Sequence, residues 1–242
     1  MTAPDRPPRP LPPIDIIDHA DSPRPARPAA TAVLLRDTPD GVEVLMIRRN
    51  SKTAFGGMWA FPGGVIEPED VPPGTAPDPL PAARAAAVRE TREEVGLALD
   101  PNSLTWLSHW LPPADSPARF STWFFAAPVP PGSVEIDGGE VHEHRWFAPQ
   151  RAMAERDAGN ISLVTPTFVT LFALARHRSV ESVMASDGPL FYATRLGQTA
   201  SGVRVCMYPG DAGYDSGEVD AAGTMHRLVM DDTDGWRWLD TR

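Results

Sequence analysis

The order of elements along the sequence predicts an α+β fold, an α/β/α sandwich around a mixed sheet, followed by a small β-rich appendage. Three observations support this prediction. A β-hairpin pattern lies near the start of the chain, and one long helical pattern follows a proline-rich loop. About the last fifty residues then change to short strand patterns between glycine and aspartate turns.

The N-terminal segment, residues 1–29, contains nine prolines and only one small apolar cluster. Such a composition cannot bury enough apolar surface to fold, so we expect a mostly disordered extension. Order is expected to begin with residues 30–36 and 42–48. These are two β-rich runs separated by Asp, Pro and Gly residues, which are typical of a hairpin turn.

One long helix is predicted over residues 82–97. Asp78 can cap it, alanines fill its body, and Gly96 ends it. The preceding residues, 71–81, are rich in proline and are expected to form a loop that leads into the helix.

The remaining elements follow from alternating apolar residues or from capping patterns. Strands are expected at 104–110, 119–127 and 144–147, and helices at 149–157 and 165–177. Short strands are expected at 190–196, 202–208, 224–230 and 235–239. We therefore divide the chain into an extension (1–29), a main domain (30–180) and a C-terminal β-rich appendage (181–242).

Composition limits the partners of this chain. The formal net charge is −10 with a pI of about 5.0, a balance that disfavours nonspecific binding to nucleic acid or anionic membranes. No apolar run approaches the roughly 18 residues of a membrane span, no secretory signal is recognisable, and Cys206 is the single cysteine. We therefore expect a cytoplasmic protein without nucleic-acid or membrane partners; a homodimer is an open alternative. A phosphate-bearing ligand would need arginines or a metal ion to offset the negative charge.

The segment RETREEVGL, residues 89–97, carries the strongest chemical signal. On a helix, Glu90, Glu93 and Glu94 fall within a sector about 100° wide. The opposite side, expected to face the core, consists of Val88, Thr91 and Val95. Crowded carboxylates raise one another's pKa unless a cation lies among them, and hard oxygen donors suit Mg²⁺ or Mn²⁺. The alternative interpretation is a solvated, charged helix face.

This segment resembles the Nudix box, the signature of a hydrolase family, written G-x5-E-x7-R-E-U-x-E-E-x-G-U with U a bulky apolar residue. The second half matches at Arg89, Glu90, Glu93, Glu94, Gly96 and Leu97, with Thr91 at the first U. The first half matches through Gly64, in the string FPGG. Asp70 stands where the box has Glu, and 18 residues instead of seven separate it from Arg89, an insertion of 11. The resemblance covers residues 30–177.

The resemblance implies a fold, a metal site and a mechanism. Glu90 and Glu94 would be the principal ligands of Mg²⁺ or Mn²⁺, joined by Glu93 and by the Gly64 carbonyl. Arg89 would hold the carboxylates in register, because its planar fork grips a carboxylate with two hydrogen bonds. The general base would come either from the box helix, with Glu90 and Glu93 as candidates, or from a later loop. The later candidates are Glu140 and Glu143.

The resemblance also implies a substrate class. A lengthened loop after FPGG resembles the coenzyme A diphosphatase-like branch, so the first expectation is a pyrophosphatase acting on coenzyme A, an acyl-CoA or another small nucleoside-diphosphate compound. The alternatives are an ADP-ribose, dinucleotide or nucleotide-sugar pyrophosphatase, and a Nudix-fold binding module without catalysis. Arg48, Arg49, Lys52 and Asp70 are the candidate substrate-binding residues. A solvated strand end is the alternative interpretation of the three basic residues.

Overall fold

The structure of the protein is a computed structural model that describes residues 25–50, 56–71, 79–116, 118–136 and 138–242. The strands are β1 (Arg27–Thr38), β2 (Gly41–Arg49), β3 (Trp59–Ala60), β4 (Gly63–Val65), β5 (Thr105–Leu111), β6 (Phe120–Pro128), β7 (Val141–Phe147), β8 (Leu190–Ala193), β9 (Arg195–Gln198), β10 (Arg204–Met207), β11 (His226–Asp231) and β12 (Gly235–Asp240). The helices are α1 (Pro79–Val95), α2 (Pro149–Asp157), α3 (Thr165–Leu174) and α4 (Val180–Met184), with single 3-10 turns at Pro68–Asp70 and Pro101–Ser103.

Eight strands form one mixed sheet. Its main path runs β3-β2-β1-β6-β5-β8, with β4 paired to β1 and β7 paired to β2. The β1–β6 and β5–β8 pairs are parallel, and the other pairs are antiparallel. The predicted α+β fold with a mixed sheet is therefore confirmed. Arg27 already pairs with Phe120 of β6, so β1 begins slightly before the expected start of order at residue 30.

Both faces of this sheet are buried. Val33 and Leu35 of β1 belong to a core cluster that also contains residues of α2 and α3. Ala32 and Leu34 point to the other face and pack with the alanines of α1. A strand buried on both sides needs a continuous apolar run, which is what the sequence AVLL supplies.

Helix α1 lies against one face of the sheet through its small residues. Thr91 and Val95 are fully buried, as the helical periodicity predicts, whereas Val88, the third residue of the predicted core side, is half-buried. The Thr91 hydroxyl donates to the Ala87 carbonyl at 2.7 Å. The helix ends where Gly96 adopts a φ of +72°, a conformation that favours glycine. Asp78, the predicted cap, lies outside the described residues. No helix in the described ranges is long and apolar enough to cross a membrane.

The C-terminal residues contribute to both sheets. The run 190–196, predicted as one strand, is two strands: β8 joins the main sheet beside β5, and β9 begins a second, antiparallel sheet in the order β12-β11-β10-β9. Tyr208 and Leu228 of that second region share one core cluster with Phe168 of α3. No helix was predicted at α4, which has five residues and Ser179 as its N-cap.

Candidate active site

The glycine pair of β4 meets helix α1 at one end of the sheet. β4 pairs with β1, and Gly64 lies opposite Ala30. A Cβ added at Gly64 would lie 2.4 Å from Glu90 Oε1, and one added at Gly63 would lie 2.3 Å from the Ala30 carbonyl oxygen. Glycine is therefore required for this backbone to approach both β1 and the carboxylates of α1.

The three glutamates of α1 differ strongly in exposure. The side chain of Glu94 is 4% exposed, that of Glu90 14% and that of Glu93 59%. Glu94 Oε2 accepts a hydrogen bond from the Gly63 N–H at 2.8 Å. The structure thus brings Glu90 and Glu94 to the glycine turn and leaves Glu93 at the rim.

Arg89 connects the carboxylates of this cluster. Its Nε and one terminal nitrogen donate to the two oxygens of Asp70 at 3.0 and 2.9 Å, and it also donates to the Val65 carbonyl at 2.9 Å. Its other terminal nitrogen donates to Glu90 at 2.8 Å and to Glu93 at 3.0 Å. The hydrogen bond to Asp70 is the largest cause that raises the pKa of Arg89. The planar fork therefore fixes three carboxylates at once.

Asp70 is buried beneath Arg89. It ends the 3-10 turn Pro68–Asp70, where its Oδ2 also accepts the Glu67 N–H at 2.8 Å. This placement differs from the predicted role in substrate binding, because both carboxylate oxygens already hold Arg89. The Asp at the box position of Glu thus supports the arginine of the box.

The predicted basic trio is divided by the structure. The Arg49 guanidinium faces inward, 3.0 Å from Glu94 Oε1, and donates to the Gly63 carbonyl. Arg48 is 45% exposed and lies 3.8 Å from Glu143. Lys52 lies outside the described residues.

The two later acids occupy different surroundings. Glu143, on β7, is held by Arg145 at 2.6 Å and lies near Arg48. The backbone carbonyl of Glu140 accepts the Asn50 N–H at 2.8 Å, and its carboxylate charge contributes to raising the pKa of Glu94. Glu140 therefore lies near enough to Glu94 for its charge to affect that carboxylate.

The buried carboxylates are difficult to ionise. Burial raises the pKa of Glu94 to about 7, against the opposing effects of Arg49 and of the Gly63 N–H. Burial also raises the pKa of Glu90, and Arg89 opposes that shift. Within the described residues, Glu94 Oε1 accepts no hydrogen bond, although it lies within ion-pair distance of Arg49. An incompletely satisfied buried carboxylate is a group that a cation would stabilise.

Comparison with known proteins identifies the family. Residues 25–168 match the sequence model of the NUDIX domain, more than half of the chain. The chain belongs to the Nudix family. No curated protein matches the chain.

Three solved structures are similar to this Nudix chain. A NUDIX hydrolase from Alicyclobacillus acidocaldarius is 25% identical, with 68% of this chain and 97% of that chain covered and a TM-score of 0.61. A MutT/nudix family protein from Enterococcus faecalis is 23% identical, with 51% and 44% covered and a TM-score of 0.42. The NUDIX domain of Shewanella oneidensis NrtR, solved with ADP ribose, is 19% identical, with 63% and 88% covered and a TM-score of 0.46. The family match and the first of these structures identify the chain as a Nudix pyrophosphohydrolase.

The donors of this Nudix site fit a hard divalent cation. Glu94 Oε1 is buried without a hydrogen bond, and Gly64 leaves beside Glu90 the space that a Cβ would fill. The acceptor side chains that converge there are carboxylates, whose hard oxygen donors suit Mg²⁺ or Mn²⁺. In the described ranges no three His, Cys, Asp or Glu side chains are grouped as a ready metal site. Arg89 and Arg49 hold the carboxylates instead.

One residue of the Nudix site, Gly63, was not predicted from the sequence. Gly63 supplies the N–H that binds Glu94 and the carbonyl that binds Arg49, yet only Gly64 was singled out. The repeated glycine in FPGG was the available signal, because two adjacent glycines indicate two close backbone approaches.

Proposed function

We propose that this Nudix hydrolase uses Mg²⁺ or Mn²⁺ to cleave the pyrophosphate bond of a nucleoside-diphosphate-linked compound, with coenzyme A or an acyl-CoA as the first substrate class. The observation that carries the proposal is the pair Glu90 and Glu94. The buried Glu94 and the half-buried Glu90 converge on a glycine turn, and within the described residues one oxygen of Glu94 accepts no hydrogen bond. A protein that only binds its ligand has no need of such mutually repelling groups.

Glu90, Glu94 and the Gly64 carbonyl would hold the metal, with Glu93 at the rim. When bound, the metal would offset charge on the phosphates and lower the pKa of a water molecule. Arg89 keeps Glu90 and Glu93 in place, because Asp70 and the Val65 carbonyl fix the other side of its guanidinium. Water adds to phosphorus, and the bond to the phosphorylated leaving group breaks.

We assign the general base to Glu140 in preference to Glu143. The charge of Glu140 contributes to raising the pKa of Glu94, which supports a position of Glu140 near the carboxylate cluster. Turnover should therefore fall much further in Glu140→Gln than in Glu143→Gln.

The choice of coenzyme A is supported by a cleft beside the carboxylate cluster. The cleft has a volume of about 740 Å³ and runs along the outer side of α1 from Arg89 and Glu93 to Pro101. Arg92 lines it as an exposed cation, within an apolar wall that includes Val88. A cleft of this size, with a cation at its side, suits a long substrate that carries a further phosphate.

A substrate panel tests the proposal. Coenzyme A, ADP-ribose, NADH and dinucleoside polyphosphates are incubated with enzyme and either Mg²⁺ or Mn²⁺, and the products are identified by mass. We expect coenzyme A to give two phosphomonoesters with the highest kcat/KM. Arg92→Gln should lower kcat/KM for coenzyme A by more than for ADP-ribose, because only the former carries the extra phosphate.

Two outcomes would count against the proposal. Hydrolysis of ADP-ribose in clear preference to coenzyme A would transfer the assignment to the second substrate class. Tight binding of a panel member without turnover, by folded protein with either metal, would identify a binding module instead.

A further inference from the structure

Arg49 occupies an inward position that its strand dictates. Along β2 the side chains alternate, and Leu45 and Ile47 pack in the cluster that faces α1. Arg49 continues this series and points toward the same helix. Its backbone is fixed by hydrogen bonds with Met58 and Gly57, at 3.2 and 2.9 Å. The guanidinium therefore reaches Glu94 of α1 from β2, whereas Arg89 lies on α1 itself.

The contacts of Arg49 are those expected of a cation bound to this site. Its terminal nitrogen lies 3.0 Å from Glu94 Oε1 and donates to the Gly63 carbonyl. Its charge acts to lower the pKa of both Glu94 and Glu90. Because Glu94 Oε2 already accepts the Gly63 N–H, Oε1 is the oxygen that remains for a cation.

We propose that Arg49 is an internal counter-ion that competes with the divalent metal for Glu94. This inference rests on the metal site of the proposed function. In the metal-free protein the guanidinium stabilises an otherwise unpaired buried carboxylate, and metal binding breaks this ion pair. The same arginine therefore stabilises the empty site and weakens metal binding, two effects that a merely structural residue would not combine.

The test measures metal affinity and metal-free stability in the same variants. Mn²⁺ binding is followed by isothermal titration calorimetry, and Tm is measured in chelator. Arg49→Gln should bind Mn²⁺ about tenfold more tightly than wild type, within the usual range of coupling between two ligands. Its Tm in chelator should fall by about 5 °C or more, because Glu94 loses its counter-ion.

Three further variants serve as controls. Arg48→Gln removes the neighbouring, exposed arginine and should change neither measurement. Arg49→Lys keeps the charge but loses the planar fork, so its Mn²⁺ affinity should lie between wild type and Arg49→Gln; it also serves if Arg49→Gln does not fold. In a Glu94→Gln background the gain from Arg49→Gln should disappear, which ties the effect to this pair.

The outcomes separate this inference from the proposed function. If wild type binds Mn²⁺ and Arg49→Gln binds it equally or more weakly, Arg49 does not compete with the metal, and the proposed metal site still stands. Absence of Mn²⁺ binding in every variant overturns both. Tighter binding together with a lower metal-free Tm supports the competition.

Discussion

Two buried carboxylates, Glu94 of α1 and Asp211 of the C-terminal region, have opposite pKa shifts. Asp211, in the C-terminal region, receives two hydrogen bonds from Arg227 at 2.7 and 2.6 Å and two from backbone N–H groups at 2.9 and 2.8 Å. Burial acts to raise its pKa, yet these bonds hold the pKa below the usual value. Glu94 has one such hydrogen bond and one arginine, and burial raises its pKa to about 7.

The difference separates a structural carboxylate from a functional one. A fully hydrogen-bonded carboxylate is stable as an anion and has no capacity left for a ligand. A partly satisfied one costs stability and retains affinity for a cation. The arginine alone does not decide the matter, because Asp211 and Glu94 each have one; the number of hydrogen bonds does.

The surroundings of the two regions differ as well. The C-terminal region is an aromatic core: Trp110 of β5 stacks on Tyr192 at 4.0 Å and meets Tyr208 edge-on at 5.7 Å. The family match ends at residue 168, before both tyrosines. We infer that the C-terminal strands complete the core of the main sheet.

The largest expected effect is therefore removal of residues 189–242, which hold β8 to β12. The shortened chain should lose its folded state, because it exposes Trp110 and the α3 residue Phe168, aromatic side chains that each bury about 150–250 Å². Soluble yield and circular dichroism measure this. A shortened chain with the wild-type Tm would show that the C-terminal region is an independent appendage.

The next largest effect is expected on turnover. Glu90→Gln and Glu94→Gln should each lower kcat by roughly 10²–10⁴, about 3–6 kcal/mol of transition-state stabilisation, since each removes a charged ligand. Steady-state kinetics at saturating Mg²⁺ provide the measurement. Glu69→Gln, at an exposed residue outside the cluster, should keep wild-type turnover. Near wild-type rates in both cluster variants would remove the basis of the metal assignment.

The local sequence pattern predicted the glutamates of this site, but not the residues that hold them in place. Periodicity and the box placed Glu90 and Glu94 on one helix face, because those relations are short in sequence. The pattern did not distinguish their exposure from that of Glu93, since an angle on a helix does not say which neighbour covers a side chain. Asp70 and Arg89, which are in contact, lie 19 positions apart in the sequence. Arg49 and Glu94 are also in contact and lie 45 positions apart. These contacts depend on how β2 and the 3-10 turn pack against α1.

The strand assignments show the same limit. Residues 190–196 alternate as one strand, and nothing in that alternation shows that the chain changes sheets at Thr194. Residues 190–193 join the main sheet because they pair in parallel with β5, where Ser108 lies opposite Leu190. Such a pairing is set by distant residues.

A smaller effect, on stability alone, compares the two carboxylates directly. Asp211→Asn should destabilise the protein by about 3–5 kcal/mol, because it leaves Arg227 buried without its anion. Glu94→Gln should lower the metal-free stability less, since the arginine that loses its anion, Arg49, is 19% exposed against 7% for Arg227. Urea denaturation in chelator measures both.

The pH dependence of the free energy of unfolding tests this comparison in a second way. The folded-state pKa of Asp211 is lowered, so its contribution is present above the usual value of 3.8 and is lost as pH falls below it. Wild type should therefore lose stability in that acid range more steeply than Asp211→Asn.

The two variants are also compared at neutral pH. If Asp211→Asn and Glu94→Gln lost equal stability there, the distinction between a structural and a functional carboxylate would be wrong.

The smallest expected effect lies between the two regions, at His109 of β5. Its ring is 4.1 Å from Trp123 of β6 and 6.1 Å from Phe191 of β8, and burial lowers its pKa to about 4. Folded protein thus keeps His109 neutral, while the unfolded chain takes up a proton below the usual value of 6.5. Wild type should lose on the order of 1–3 kcal/mol of stability from this residue as pH falls from 6.5 to 4.

His109→Gln isolates this contribution, because it removes the titrating ring and retains a polar group that can reach Ser121, the hydrogen-bond partner of Nε2 at 2.7 Å. The stability of wild type minus that of the variant, from urea denaturation at several pH values, should decrease as pH falls through this window. His177→Gln, at a partly exposed residue beyond α3, removes a different histidine and is the control. If this stability difference stayed constant with pH, His109 would accept a proton in the folded state. The contact that β5 makes between the two regions would then be hydrated.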